Sequence, residues 1–193
     1  MVDRKHTYLK RLPAEYYKGQ AYVHWSLTME DRQTGWLIPT FLYKFREILT
    51  HTAFRYGLCC PIYCLMPDHM HLLWVGIDEE CDQRVAMRFF RKQINPVLAK
   101  LGAQLQLQPY DHVLRDDERD RSAFEEVAEY IARNPERAGL VPVDGFAEYA
   151  FSGCLLPGYP ELRPFESDYW DRFWRTFSYL CKHGLRAGRS NTK

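Results

Sequence analysis

Two histidines separated by one residue are the most chemically suggestive feature of this 193-residue sequence. His69 and His71 fall in an apolar segment whose composition favours a β-strand. Because side chains alternate along a strand, both imidazoles leave one face, while Met70 and Leu72 leave the other. Two neutral imidazoles at this spacing can ligate one metal ion. Hydrogen-bonded or surface histidines also occur at this spacing, so the pair alone leaves both interpretations open.

A tyrosine and an asparagine four residues apart form the second suggestive pair. Tyr130 and Asn134 share one face of a predicted helix. A phenol with an ordinary pKa near 10 becomes a nucleophile when a nearby cation or base removes its proton. Taken alone, a tyrosine such as Tyr130 is more often an amphipathic core residue, and Asn134 before Pro135 is an ordinary helix end.

The elements that must position these residues are predicted from the periodicity of the apolar residues. The sequence predicts strands at residues 21–29, 58–65, 69–76 and 110–115, and helices at residues 39–55, 82–100 and 120–134. The two middle strands form a hairpin, since Pro67 and Asp68 favour a tight reversal. Pro96 is expected to kink or interrupt the second helix.

The order β-α-β-β-α-β-α indicates an α+β fold of the ferredoxin-like or RRM-like type, with an antiparallel sheet and helices on one face. The other face is expected to stay free for a ligand, and Tyr130 lies on the helix after the fourth strand. The predicted divisions are an N-terminal arm at residues 1–20, a core domain at residues 21–150 and an aromatic-rich extension at residues 151–193. The extension carries one more predicted helix, at residues 166–182.

Composition restricts the class of protein. Hydrophobic residues make up 46% and charged residues 26% of the chain, as in folded globular proteins. Since no apolar run approaches the roughly 20 residues that span a bilayer and the first residues lack a secretory pattern, we expect a cytoplasmic protein without a membrane partner. No P-loop or dinucleotide fingerprint is present, so no nucleotide cofactor is expected. The formal net charge of +1 does not by itself indicate a nucleic-acid-binding protein.

Three segments of the sequence resemble the REP-associated tyrosine transposases, a group of single-tyrosine HUH transposases. These segments are residues 66–73 (MPDHMHLL), 110–116 (YDHVLRD) and 130–141 (YIARNPERAGLV). The resemblance covers roughly residues 20–150, in the order found in the family. It implies that the core domain is an HUH single-tyrosine transposase and nuclease domain from a bacterial protein.

The resemblance also implies a role for each candidate residue. Tyr130 would be the catalytic nucleophile, and His69, His71 and Asn134 would hold Mg²⁺ or Mn²⁺, which accept nitrogen and oxygen ligands. A metal there would neutralise the phosphodiester and stabilise its leaving oxygen. Attack by the tyrosine would leave a 5′-phosphotyrosine link, so the strand could be rejoined without ATP.

The implied substrate is single-stranded or hairpin DNA of the REP type, cut and transferred in DNA recombination and transposition by a nucleoid-associated enzyme. The C-terminal extension favours a monomer over a homodimer, because such additions occur in the REP-associated relatives. The alternative is a host-adopted hairpin-DNA-binding protein with little or no transposition activity.

Basic residues mark the predicted DNA contacts. An acid-free run along the second helix comprises Arg84, Arg88, Arg91 and Lys92, with a solvated helix face as the alternative interpretation. Two smaller sets lie in the tails, at Arg4, Lys5, Lys10 and Arg11 and at Lys182, Arg186, Arg189 and Lys193. Trp170 and Trp174 are interpreted as core residues of the extension, with a base-stacking platform as the alternative.

Other histidines, acidic residues and cysteines of the core domain have structural interpretations. His24 and His112 are interpreted as structural residues. The acidic residues before the tyrosine helix are expected to complement its dipole. A structural zinc site at Cys60, Cys64, His69 and His71 is a rival interpretation that would leave Tyr130 without a role, but Pro61 interrupts the cysteine segment and no standard zinc-module loop is present.

Overall fold

A five-stranded antiparallel sheet organises the protein, for which the computed structural model describes residues 11–185. The strands are β1 (Tyr22–Thr28), β2 (Leu58–Met66), β3 (His69–Gly76), β4 (Tyr110–Val113) and β5 (Ser152–Leu155), in the spatial order β4-β1-β3-β2-β5. The helices are α1 (Pro39–Tyr56), α2 (Gln83–Ala99), α3 (Arg121–Ala132), α4 (Asn134–Arg137) and α5 (Tyr169–His183). The predicted α+β class with an antiparallel sheet is confirmed.

One face of the sheet packs against α1 and α2. Trp25, Leu72 and Trp74 point into this first core because they occupy alternate positions of β1 and β3. Phe90 of α2 meets the ring of Trp74 edge-on, with the centroids 5.8 Å apart. Asp82 begins α2 by accepting hydrogen bonds from the backbone N–H groups of the first turn. Pro96 lies within α2 and does not end it, so of the two predicted effects, a kink or an interruption, the interruption is wrong.

The opposite face is not left entirely free, which corrects the expectation from the sequence. Phe124 and Ile131 of α3 and Phe173 of α5 belong to a second core that includes Leu73 and Val75 of β3. The reason lies in β3 itself, whose side chains on this face change from histidine at its start to leucine and valine at its end. The apolar half has to be covered, whereas the histidine half keeps partial access to solvent.

A fifth strand was not predicted. β5 pairs antiparallel with β2, so the C-terminal extension supplies one edge of the sheet. Tyr149 donates a hydrogen bond to the carbonyl oxygen of Leu65 at 2.9 Å and fixes the entry to this strand. Only a residue without a side chain fits at Gly153, because a Cβ atom there would lie 2.5 Å from the Tyr63 hydroxyl oxygen. The strand is only four residues long and gives little periodicity to detect.

None of the helices within residues 11–185 is both long and apolar enough to cross a bilayer. This finding agrees with the apolar runs seen in the sequence, all of which are short.

The end of β3 depends on a close backbone approach at Gly76. A Cβ atom at this position would lie 1.8 Å from the carbonyl oxygen of Gly19, and backbone cannot yield as a side-chain tip can. We expect Gly76→Ala to lower the free energy of unfolding by about 3 kcal/mol through overpacking, measured by urea denaturation. Gly158→Ala is the control, since its φ is +85° but no atom lies within 4 Å, so only backbone strain of about 1 kcal/mol is expected. Equal losses in the two variants would contradict the clash.

Candidate functional site

The two histidines open β3 directly after the turn that joins it to β2. Met70 and Leu72, which alternate with them, are fully buried in the first core and anchor the strand. Both imidazoles leave the opposite face, and their Nε2 atoms lie 2.9 Å apart. The geometry therefore has the shared face that the sequence predicted, with two ring nitrogens converging on one point.

The histidine pair is the middle of a longer chain of contacts. His24 Nε2 of β1 lies 3.0 Å from His71 Nδ1, and His69 Nδ1 lies 2.6 Å from Asp68 Oδ1. Arg32 donates a hydrogen bond to the other carboxylate oxygen of Asp68 at 3.0 Å. Sequence analysis missed His24 and Asp68 as members of the site. The missing information was the β1–β3 register, which places Trp25 opposite Leu72 and so brings His24 beside His71.

The Asp68 carboxylate determines which ring nitrogen of His69 carries a proton. Partial burial opposes ionisation of Asp68, but hydrogen bonds from His69 and Arg32 hold its pKa below the usual value. An ionised carboxylate only accepts hydrogen bonds, so Nδ1 of His69 carries the proton and its Nε2 presents a lone pair. Such an acceptor behind a histidine is the arrangement that orients metal-binding imidazoles.

Burial keeps the inner histidines neutral at physiological pH. Desolvation, with a contribution from His112, lowers the pKa of His24 to about 4. Desolvation, together with His24, His69 and Arg137, lowers the pKa of His71 to about 3. Neutral imidazole is the form that binds metal.

The donor set fits a divalent metal ion in part. Two nitrogens that each ligate one ion at about 2.1 Å and at right angles are about 3.0 Å apart, close to the separation seen here. Within residues 11–185 no group of three or more His, Cys, Asp or Glu side chains is suited to holding a metal. A third protein ligand would therefore be a residue of another type.

Asn134, the ligand implied by the resemblance, makes its hydrogen bonds inside its own segment. Its Nδ2 donates to the carbonyl oxygen of Ile131 at 2.9 Å, and its Oδ1 accepts from Arg137 Nη2 at 3.1 Å. No hydrogen bond among the described residues joins Asn134 to His69 or His71. Its role as a metal ligand stays a prediction.

Tyr130 lies on the solvent side of α3. Its side chain is 60% exposed, whereas Phe124, Ala128 and Ile131 of the same helix are buried. The core interpretation of this tyrosine is therefore wrong. The guanidinium of Arg137 covers the ring, with its carbon 3.9 Å from the ring centroid. An exposed phenol beside a cation is accessible to a large anionic substrate.

His112 of β4 also faces the functional side of the sheet. It stands opposite His24 in the β1–β4 register, and its Nε2 lies 2.9 Å from Glu118 Oε1. Glu118 also accepts the backbone N–H of Arg115 at 2.8 Å. This acidic residue thus orients a histidine and a loop, beyond any effect on the helix dipole.

The rival zinc site is excluded by geometry. Cys60 points into the first core and Cys64 into the second, so the two thiols lie on opposite faces of β2. Cys60 donates to the carbonyl oxygen of Ile62 at 3.2 Å. The zinc interpretation is wrong because the register of β2 shifts between Cys60 and Tyr63, which turns Cys64 to the face opposite Cys60.

The predicted DNA-binding run lies across the sheet from the histidines. Arg84, Arg88, Arg91 and Lys92 belong to α2, which packs on the first face. Arg88 and Lys92 are exposed, Arg84 stacks on Tyr17 with its guanidinium carbon 5.7 Å from the ring centroid, and Arg91 donates to the carbonyl oxygen of Gln106. Their contact with DNA stays a prediction, for a surface separate from the histidine face.

The other basic and aromatic candidates fall in different places. Arg11 forms an ion pair with Asp111 at 2.9 Å, and Lys182 lies in the last turn of α5. The remaining members of the two tail sets, Arg4, Lys5, Lys10, Arg186, Arg189 and Lys193, lie outside the described residues. Trp174 is 7% exposed and donates to Glu125 at 2.8 Å, so its core interpretation is confirmed.

The buried histidines predict that the metal-free protein loses stability in mild acid. An unfolded histidine takes up a proton near pH 6.5, whereas His24 does so only near pH 4. The stability is therefore present above pH 6.5 and is lost as the pH falls toward 4. We expect His24→Gln to reduce the slope of unfolding free energy against pH by about 1.4 kcal/mol per unit in this window.

The measurement is urea denaturation in EDTA at several pH values. His51→Gln, a change at an exposed position of α1, serves as the control and should keep the wild-type slope. An unchanged slope in His24→Gln would show that His24 is not held neutral by folding.

Comparison with known proteins finds no family model that matches the chain, but it finds similar proteins in sequence and in structure. A Haemophilus influenzae protein assigned as a REP-associated tyrosine transposase is 23% identical over 142 residues, which cover 67% of this chain and 77% of that protein. The structure of a REP-associated tyrosine transposase bound to a REP hairpin superposes with a TM-score of 0.61 at 19% identity, covering 75% of this chain and 82% of that one. A bacterial tRNA(His) guanylyltransferase-like protein in complex with GTP reaches a TM-score of only 0.45 at 14% identity.

Proposed function

We propose that this chain, whose resemblance to the REP-associated tyrosine transposases is confirmed in sequence and in fold, is a metal-dependent nuclease and strand transferase for single-stranded hairpin DNA. The observation that carries the proposal is the pair of converging Nε2 atoms of His69 and His71, on the sheet face partly covered by the helix that bears the exposed Tyr130. The similar structure holds a REP hairpin, which supports hairpin DNA as the substrate.

In this proposal His69 and His71 hold a divalent metal ion, Mg²⁺ or Mn²⁺. Asn134 supplies a third ligand once its Oδ1 leaves Arg137. When bound, the ion neutralises the scissile phosphate and stabilises the leaving oxygen. His24 and Asp68 fix the orientation of the two imidazoles, because each contacts the ring nitrogen that faces away from the shared point.

Tyr130 is the nucleophile of the proposed reaction. Its phenolic oxygen attacks the phosphorus, so a phosphorus–oxygen bond to the tyrosine forms as the bond to the 3′ oxygen of the preceding nucleotide breaks. The phenol gives its proton to solvent, and the departing 3′ oxygen takes up a proton to become a hydroxyl. The resulting 5′-phosphotyrosine keeps the energy of the broken bond, and attack by another 3′-hydroxyl reverses the step and joins the strands.

Recognition of DNA depends on its structure more than on bulk charge. The chain carries a formal net charge of +1, which gives weak general attraction for a phosphate backbone. A hairpin presents its own shape and unpaired bases, which a near-neutral protein can select. We therefore expect a preference for folded single strands over duplex DNA at physiological salt.

Replacement of the nucleophile tests the reaction. We expect Tyr130→Phe to abolish the covalent protein–DNA band that wild type forms with end-labelled hairpin DNA from the repeats flanking its gene, in Mn²⁺, on denaturing electrophoresis. Tyr179→Phe is the matched control, since Tyr179 is 50% exposed on α5 and outside the proposed site. Cleavage that survives in Tyr130→Phe would show attack by water, and tight binding without cleavage by wild type would favour a hairpin-binding protein.

Direct titration with metal tests the histidine pair without any dependence on activity. We expect His71→Gln to weaken Mn²⁺ binding by about 100-fold or more in calorimetry, because one of two imidazole ligands is lost. His24→Phe should weaken it by about 10-fold, the usual effect of removing an outer hydrogen-bond partner. His51→Gln should bind as wild type does. Equal affinities in all four proteins would place the metal elsewhere or exclude it.

A further inference from the structure

Two arginines near the end of the tyrosine helix have opposite surroundings. Arg133 binds the carboxylates of Glu129, Glu136 and Asp144 at 2.8 to 3.1 Å, and these three partners raise its pKa above its already high ordinary value. Arg137, one turn later, forms no ion pair with any carboxylate in residues 11–185. No carboxylate of this part of the chain neutralises its positive charge, which lies next to Tyr130.

Arg137 contacts both functional residues of this helical segment. One nitrogen, Nη2, donates to the carbonyl oxygen of Tyr130 at 2.7 Å and to Asn134 Oδ1 at 3.1 Å. The guanidinium carbon lies over the tyrosine ring, 3.9 Å from its centroid. Arg137 therefore joins the proposed nucleophile to Asn134 within this helical segment.

Part of the Arg137 guanidinium has no hydrogen-bond partner among residues 11–185. A guanidinium has five N–H donors, and the two hydrogens of Nη2 serve Tyr130 and Asn134. No hydrogen bond from Nε or Nη1 to any described residue is present. These three N–H groups lie on an exposed arginine and form a donor set of the kind that binds a phosphate at two oxygens.

We propose that Arg137 is a further catalytic residue, one that holds the ring of Tyr130 and binds the scissile phosphate through its free donors. The inference rests on the proposed function. Arg137 stays protonated throughout and makes no covalent bond, so it changes no atom or electron balance of the transfer step. It stabilises the negative charge on the phosphate oxygens as the tyrosine attacks.

The same contacts give Arg137 a second effect on the site. In the free protein its Nη2 donates a hydrogen bond to Asn134 Oδ1, the atom that would ligate the proposed metal. A phosphate that draws the guanidinium toward itself releases this oxygen. Substrate binding and completion of the ligand set are thereby linked through one side chain.

The alternative is that Arg137 serves only to cap the helix through the Tyr130 carbonyl. Three variants separate the two roles: Arg137→Lys keeps the charge but loses the planar fork, Arg137→Gln loses the charge, and Arg137→Ala leaves space for a free guanidinium ion. Arg175→Gln is the control, because Arg175 is exposed on α5 and lies outside the site.

The readout is the rate of covalent complex formation with the hairpin DNA used above, in saturating Mn²⁺ and DNA, together with the urea midpoint of each variant. We expect Arg137→Gln to slow the reaction by about 100-fold or more and Arg137→Lys by about 10-fold, with unfolding midpoints near that of wild type. Guanidinium ion at millimolar concentration should restore part of the rate to Arg137→Ala and leave Arg175→Gln unchanged.

A neutral substrate tests the phosphate contact itself. With a methylphosphonate at the scissile position, which removes the negative charge, wild type and Arg137→Gln should react at similar rates. The role of Arg137 would be overturned if its variants reacted with ordinary DNA as fast as Arg175→Gln does, or if their losses of rate followed only the changes in unfolding midpoint. Either result would leave the proposed function intact. Absence of any Tyr130 adduct in wild type would instead overturn the proposed function, and the role of Arg137 with it.

Discussion

Packing of one face of β3 against α1 and α2 is the constraint on which the rest of the site depends. Met70 and Leu72 are fully buried against α1 and α2, and strand geometry then forces His69 and His71 to the opposite face. The histidines have little freedom to move, since displacing them would pull large side chains out of a close-packed core. Convergence of the two Nε2 atoms is thus a consequence of core packing on the other side of the sheet.

Burial of His24 and His71 on this face also determines their protonation state. Imidazoles that lose solvent resist protonation, and His24 and His71 accordingly have lowered pKa values. At the other end of this row of contacts, Asp68 accepts a hydrogen bond from His69, and Arg32 neutralises the charge of the Asp68 carboxylate. The result is a set of neutral rings with defined hydrogen-bond partners, which is what a divalent cation requires of histidine ligands.

The C-terminal extension and the tyrosine helix together cover the apolar part of the second sheet face. The second face of the sheet is apolar beyond His71, and Phe124 of α3 and Phe173 of α5 cover it in a shared core. Because α3 is held by this contact, its solvent side carries Tyr130 on the same face as the histidines. The fifth strand fixes the extension to the edge of β2, so residues 152–185 belong to the structure that supports the tyrosine.

The sequence by itself predicted strands β1 to β4 and the longer helices, and which side chains share a face within them, because periodicity reports burial along a single strand or helix; the four-residue β5 is too short to show it. It therefore predicted the common face of His69 and His71 and the hairpin that carries them. It could not show that His24 adjoins His71, since cross-strand register is set by the packing of Trp25 and Leu72, which lie 47 residues apart in the chain. Nor could it show that α2 and its basic run lie behind the sheet, or that Arg133 is neutralised by carboxylates and Arg137 is not. Those facts depend on distances between elements, and only the tertiary structure decided them.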